Sequence, residues 1–373
     1  AADDTESKAG IVVASASASS PSRVVLGKFN FTATNEAMTV KKLNIKLDND
    51  STSSTNSTAP LDNVLGIYLY DENGAAVGST TGYTPDPTTG IVTIENLGWL
   101  LPKDNTSKKL VVKADMNSIT GGADTGDEIY VHVIESGFEA SGSVNTITSL
   151  TGAPVVGREK VVYKSYPSIS TVSLSESGLT SLSGIEVARF RVTANSNDVE
   201  WASIGLEMSL SNASALDAAL SITRVTPSAS LTIATQSPTT SSFDLTGGTA
   251  QSVILQLATP EQISAGNYYE YIVKLNATGA QFATANETET LVTKIVLHND
   301  SSTANIANAV NRVTAQNAST TLAANATLNS SDNAFVWSDR ASTSHSQTTS
   351  DWANGVYVVE PDLLSTFTRT QQN

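Results

Sequence analysis

Two stretches decide the reading of this chain: Val25–Met38 is VLGKFNFTATNEAM, and Glu186–Val199 is EVARFRVTANSNDV. Each sets a basic residue before Phe and closes an alternating strand on Thr-Ala: Lys28-Phe29 with Thr32-Ala33, and Arg189-Phe190 with Thr193-Ala194. The second stretch follows the first by 161 residues. The same spacing returns downstream, where Val111-Val-Lys-Ala-Asp115 lies under Ile272-Val-Lys-Leu-Asn276. A register kept that far marks two tandem copies of one β domain, and tandem units build arrays more often than active sites.

The chain has 373 residues. Each copy, at roughly 150 residues, is long enough to bury a core. Ser and Thr make up about a quarter of the residues, charged residues 15% and aromatics 6%. Val, Ile and Leu recur in short alternating runs, which argues against disorder and for an all-β protein with hydroxyl-lined outer faces.

Net charge is −15. Nucleic acid is excluded as a partner, because its backbone calls for Lys and Arg clusters. Acidity leaves two readings, solubility or divalent cations. There is no Cys, so no disulfide framework. No apolar stretch reaches the ~18 residues of a membrane span. The opening Ala1-Ala2-Asp3-Asp4 reads as an end left after removal of a secretory signal, which implies a secreted location. Eleven Asn-x-Ser/Thr sequons occur. Asn56, Asn105, Asn212 and Asn286 are the candidate glycan sites; Asn30 and Asn276 fall inside expected strands.

Residues 11–18 alternate with period two. Val12, Ala14, Ala16 and Ala18 share one face; Ile11, Val13, Ser15 and Ser17 share the other. Strands are expected at 23–33 and 39–47, with a bulge between Val40 and Leu43. Others are expected at 66–70, 90–94, 109–113 and 128–134, at sandwich spacing. Ser165-Tyr166-Pro167 is the expected junction, and from Ile169 the pattern restarts. The second copy continues through 187–192, 199–208, 228–233, 252–257, 268–275 and 290–297, with a turn or helical bend at Pro260–Gly266. Residues 299–333 read as a long loop with a late strand, and Val356–Val359 as the final strand.

The fold class is therefore all-β: two tandem Ig-like β-sandwiches with a C-terminal strand region. The expected division is 1–21 (an N-terminal strand), 22–165 and 166–316 (the sandwiches), and 317–373 (an extension packed on the second).

The tail carries a resemblance. Phe335-Val-Trp-Ser-Asp339 and Ser350-Asp-Trp-Ala-Asn-Gly355 are similar to segments of large secreted surface proteins of candidate-phyla (Patescibacteria) bacteria, and Phe29–Leu47 looks like their repeats. The resemblance implies a secreted cell-surface location and no activity.

Chemistry-bearing patterns are few. His132, His298 and His345 form no metal-ligand spacing. No Gly-x-Ser-x-Gly elbow and no phosphate-cradling Gly loop occurs, so the chain is read as a non-enzyme. Calcium is the ligand to consider: Asp48, Asp50, Asp71, Asp124, Asp127 and Glu128 sit in turn-rich segments that suit a hard cation. Ordinary Asx turns explain the same residues. Trp99, Trp201, Trp337 and Trp352 are scattered, which favours core packing.

The first strand is the candidate working part. In the second copy it is tethered on both sides. In the first copy residues Ile11, Val12, Val13, Ala14, Ser15, Ala16, Ser17 and Ala18 precede Ser19-Ser-Pro-Ser22, a hinge on which the strand can leave and complete a neighbour. The alternatives are a home strand or a flexible linker. The functional expectation is an extracellular structural subunit polymerising head to tail through this strand, with itself as partner. A surface-layer lattice, or a non-polymerising adhesin or carbohydrate-binding stalk with surface glycans as its partner, are the alternatives.

Overall fold

A computed structural model describes residues 1–3, 8–15, 23–51, 61–103, 106–237, 243–282, 287–297, 334–358 and 364–372. The chain is all-β, without an α-helix among the described residues. It divides into two units, 1–164 and 165–373.

The first unit contains β1 (Gly10–Val13), β2 (Val24–Phe31), β3 (Met38–Asp48), β4 (Val64–Asp71), β5 (Ile91–Ile94), β6 (Trp99–Leu101), β7 (Lys108–Met116), β8 (Glu128–Ser141), β9 (Thr146–Ile147), β10 (Val155–Val156) and β11 (Lys160–Tyr163). One sheet runs β2-β7-β4. The other runs β1-β11-β8-β3-β5, with β6 on β3 and with β9 and β10 on β8. Their inner faces share one core that includes Leu26, Phe29, Val40, Leu43, Ile45, Val112 and Val131. Each such side chain contributes about 1.5–3 kcal/mol by leaving water.

The second unit contains β12 (Tyr166–Thr171), β13 (Ser183–Asn195), β14 (Val199–Ser211), β15 (Ala213–Arg224), β16 (Ala229–Leu231), β17 (Ile233–Ser237), β18 (Phe243–Thr246), β19 (Gln251–Ile263), β20 (Tyr268–Asn276), β21 (Gly279–Phe282), β22 (Thr288–Val296), β23 (Val336–Ser338), β24 (Trp352–Asn354) and β25 (Phe367–Gln372). One sheet is β12-β13-β20-β15-β16 and the other β17-β19-β14-β22-β25, with β23 on β14 and β24 on β23.

The repeat extends to hydrogen-bond register. Phe29 faces Leu110 and Gly27 faces Val112; Phe190 faces Tyr271 and Ala188 faces Val273, each pair displaced by the same 161 residues. The irregularity is copied as well. The ladder skips Leu26 in one unit and Val187 in the other. A bulge turns two successive residues inward, and Leu26-Gly27 and Val187-Ala188 are both buried pairs. A second bulge skips Lys41 in β3 and Ala202 in β14.

The last strands differ. In the first unit β8 passes a bulge between Ile134 and Glu139 and continues, so that Ala140 faces Val40. In the second unit the same path is cut in two: Val296 faces Gly205, and Trp337 faces Trp201. The cut begins and ends at one hydrogen bond, Phe335 N–H to Leu297 C=O at 2.9 Å. Phe335, Trp337 and Ser338 thereby hold the places of Phe138, Ala140 and Ser141.

Three expectations change accordingly. The segment set apart as an extension supplies β23, β24 and β25 to the second unit's own sheet, because their partners are β14 and β22. The final strand is Phe367–Gln372, while Val356–Val358 lies in a turn. Pro260 stands within β19 rather than in a bend. The expected strand in 299–333 lies outside the described residues.

Candidate functional site

The first strand is split in both units. In the second, β12 pairs antiparallel with β13 from Tyr166–Asn195 to Thr171–Phe190. The chain then crosses to the other sheet, where Gly178 bridges Thr370 in parallel. In the first unit Ala2 bridges Phe29 antiparallel. β1 then pairs in parallel with β11, Gly10 with Lys160 through Val13 with Tyr163. Gly10 N–H donates to Glu159 C=O at 3.1 Å, and Ala14 N–H to Tyr163 C=O at 2.7 Å.

Of the candidate donor strand, Val12 and Ala14 point into the core, Ile11 and Val13 are half-buried and Ser15 is exposed. Ala16, Ser17 and Ala18 lie outside the described residues. The described part thus occupies its home position at a sheet edge in this chain.

A buried cation latches each split strand, and no sequence pattern marked it. Lys160 donates its ammonium to the carbonyl of Lys8, and burial lowers its pKa, aided by Lys28. Arg369, in the same place on β25, donates to Glu186 C=O at 2.5 Å and to Gly178 C=O at 2.8 Å. The available signal was a basic residue inside a strand that is otherwise buried, Lys-Val-Val-Tyr.

Beside the first strand of the first unit lies a cavity of about 600 Å³. Phe29, Phe31, Met38, Phe138, Ala140 and Leu150 supply its apolar wall, and Thr32–Glu36 and Asn145–Ile147 its rim. Glu36 fixes that rim. Its carboxylate accepts from Ser143 Oγ–H at 2.8 Å and from the amides of Ser143, Val144 and Asn145 at 2.8–3.0 Å. These bonds, that of Ser143 foremost, hold its pKa down at about 2.

The second unit differs at the equivalent place. Trp337, fully buried, stands where Ala140 stands. Trp201 lies 5.0 Å from the Tyr271 ring and 6.2 Å from Phe335, and donates its indole N–H to Tyr271 Oη at 3.0 Å.

Where β8 turns tightly into β9, the second unit has a longer loop between Ser338 and Trp352, knit around His345. Its Nδ1 lies 2.8 Å from Asp351 and its Nε2 2.8 Å from Glu200, which also binds Arg340. Burial alone would lower the His345 pKa; the bonds to Asp351 and Glu200 override it and raise it to about 9. Both ring nitrogens are committed to carboxylates, so His345 has no free nitrogen to activate Ser338 Oγ, 3.5 Å away. The sequence signal was a lone His in a Ser-rich loop closed by Ser-Asp-Trp.

The candidate calcium ligands scatter. Asp48 is buried against Lys46 at 2.5 Å. The Asp50 carbonyl meets His132 Nε2 at 3.0 Å. Asp71 caps its turn, accepting from the amides of Asn73 and Ala75. Asp124 and Asp127 are brought together by Asn63, which accepts from Asp124 N–H and donates to Asp127 at 2.8 Å. Burial raises the pKa of Asp127, and burial with Glu159 raises that of Glu128. Among the described residues no group of three or more His, Cys, Asp or Glu is arranged to hold a metal.

Of the glycan candidates, Asn212 is exposed in a left-handed turn (φ 56°) and its side chain donates to Thr288 C=O at 3.0 Å. Asn56, Asn105 and Asn286 lie outside the described residues. All four Trp are buried in their units, as core residues. No helix among the described residues is long and apolar enough to cross a membrane.

No family model and no curated protein matches the sequence. Among solved structures, one titled BspA_C_WT overlaps 77% of this chain and 91% of its own at 9% identity, with TM-score 0.18. The CupB6 tip adhesin from Pseudomonas aeruginosa overlaps 74% and 86% at 10% identity, TM-score 0.16. The serine-rich repeat adhesion glycoprotein Srr1 from Streptococcus agalactiae overlaps 79% and 89% at 13% identity, TM-score 0.16. Likeness at that level carries no functional argument.

Proposed function

We propose that this chain is an extracellular structural subunit that self-assembles head to tail into a cell-surface filament, exchanging its N-terminal strand between copies. The observation that carries the reading is the placement of that strand. It sits in two short pieces, Ala1–Asp3 and β1, each pairing at a sheet edge. The segment holding Ser19-Ser-Pro-Ser22 follows it and leads to β2. Its counterpart in the second unit is held at both ends, between β11 and β13.

A strand exchanged with a neighbour makes the same main-chain bonds it makes at home, so the assembled state costs little. Val12 and Ala14, the inward side chains, are small enough to enter a neighbour without a deep pocket. Head-to-tail exchange that does not close yields a filament rather than a ring. The resemblance of Phe335–Asp339 and Ser350–Gly355 to secreted surface proteins supports the location. A non-polymerising adhesin is the second reading, favoured by the cavity of the first unit, whose volume suits a bound ligand.

Electron microscopy of the full chain beside a variant lacking residues 1–20 tests the reading. Filaments from the full chain and monomers from the variant are expected. Monodisperse particles from the full chain overturn the polymer. Filaments from both keep the polymer and overturn the joint.

A further inference from the structure

We infer that Lys160 primes β1 to leave its place: a charge buried beside the strand holds it more loosely than an uncharged side chain would, and so lowers the cost of vacating the β11 edge for a neighbour's strand. The inference rests on the exchange reading for its purpose, and its test reads the docking of β1 directly.

The edge along β11 is otherwise apolar. Val161, Val162 and Tyr163 are buried, and β1, paired with them, lays Val12 and Ala14 into the core. Lys160 opens this run and is only 9% exposed. Its ammonium has one acceptor among the described residues, the C=O of Lys8, and no described carboxylate pairs with it. Burial disfavours the charged form, and Lys28 adds a like charge. One neutral carbonyl at best offsets the removal of an ammonium from water. An uncharged side chain of similar length would be buried there without that cost.

The cost belongs to the docked state alone. When β1 lifts from β11 it takes the Lys8 carbonyl with it, and the ammonium meets water. Local openings of this kind have their own free energy, separate from that of other parts of the chain. A neighbour's strand docked in the same place meets the same charge. Lys160 therefore does not choose between the home strand and a visiting one; it shortens the stay of either.

The second unit holds the corresponding place differently. Arg369 shares its charge between two carbonyls, that of Gly178 in the first-strand segment and that of Glu186 in β13. A guanidinium is more weakly hydrated than an ammonium, and its fork satisfies two acceptors at once. Beside it Thr370 exchanges main-chain bonds with Ser177 and Leu179, at 3.1 and 3.0 Å, and Leu179 is fully buried. The cation that grips thus lies under the first strand that is held between β11 and β13. The cation that yields lies under the candidate donor.

The test is hydrogen exchange of the full chain at the amides of Gly10 to Ala14, beside Lys160→Met and Lys160→Gln. Both variants remove the charge, and Gln keeps a hydrogen-bond donor. Exchange at β1 should slow about two- to fivefold in both, with the amides of the second unit unchanged. Filament growth, followed by light scattering, should slow with it. Faster exchange in K160M, restored in K160Q, would make Lys160 a plain hydrogen-bond latch and overturn the inference. Exchange equal to the parent's in both variants overturns it as well. Slower exchange at β1 in a chain that forms no filaments would uphold the effect of the charge and sink the polymer reading alone.

Discussion

The two units share strand order, register and bulges, yet they close their interiors in opposite ways. The second packs Trp201, Trp337, Phe335 and Tyr271 into one aromatic cluster and covers its β13 edge with six residues of β12. The first has Val40, Ala140, Phe138 and Leu110 at those places, a β2 edge on which Ala1 and Ala2 meet Asn30 and Phe29, and a cavity of about 600 Å³. The ladder of main-chain bonds is thus the conserved quantity between the copies. Side-chain volume is free to vary across it, because a bulged β ladder fixes direction and spacing and leaves the filling to be met locally.

Substitutions at matched positions break or sharpen this comparison. Phe335→Ala should cost about 3–5 kcal/mol, because a fully buried ring leaves a void in a packed cluster. Phe138→Ala should cost less, about 2–3 kcal/mol, since that ring already borders empty space. Guanidinium unfolding with hydrogen exchange read separately in each unit measures both, and equal losses would erase the distinction.

The two latches come next. Arg369→Met should cost about 2–3 kcal/mol, because two buried carbonyls lose their donor. Lys160→Met should change stability by no more than about 1 kcal/mol, since burial of a lone ammonium nearly offsets its single bond. The same denaturation experiment checks the pair.

The His345 loop exists only in the second unit and gives it a pH signature. The His345 pKa is raised from 6.5 to about 9. Its contribution is therefore full below about pH 6.5 and fades as pH rises through 9. Asp351 is shifted the other way, held below its ordinary value mainly by His345 against the cost of burial. Its share is present at neutral pH and lost on acidification. His345→Ala should cost about 1–2 kcal/mol at pH 6 and almost nothing at pH 10. Melting curves across that range test it, and a pH-independent deficit would refute the ion-pair account.

The smallest effect is at the rim of the first unit. Carbon-detected NMR should find Glu36 titrating near pH 2, and Ser143→Ala should move its midpoint upward, because that bond is the largest single cause of the shift.

Much of this was legible in the chain. Lys28-Phe29 and Arg189-Phe190 gave the duplication, and the Val40–Leu43 slip gave the second bulge. The end of the repeat was hidden for a physical reason. Side chains facing a packed interior answer to local volume, so Phe138-Glu-Ala-Ser141 and Phe335-Val-Trp-Ser338 share only Phe and Ser. The spacing between copies also changes across the cut, so a fixed offset loses the trail at Val296. The cavity was illegible because it arises from what Ala140 lacks. The scattering of Asp48, Asp71 and Asp124 was equally hidden, since sequence shows turn chemistry and not which turns meet.

The bond between Leu297 and Phe335 has a further consequence for protein engineering. The framework has already brought both ends of the cut strand to one another, so whatever is spliced between them starts and finishes at a fixed doorway. Closing a flexible loop grows costlier only with the logarithm of its length, about 0.6 kcal/mol per doubling. A foreign epitope or a small domain whose termini lie close together, inserted between Leu297 and Phe335, should leave the bond that joins them in place. In a polymer of such subunits every copy would carry the cargo at a regular interval.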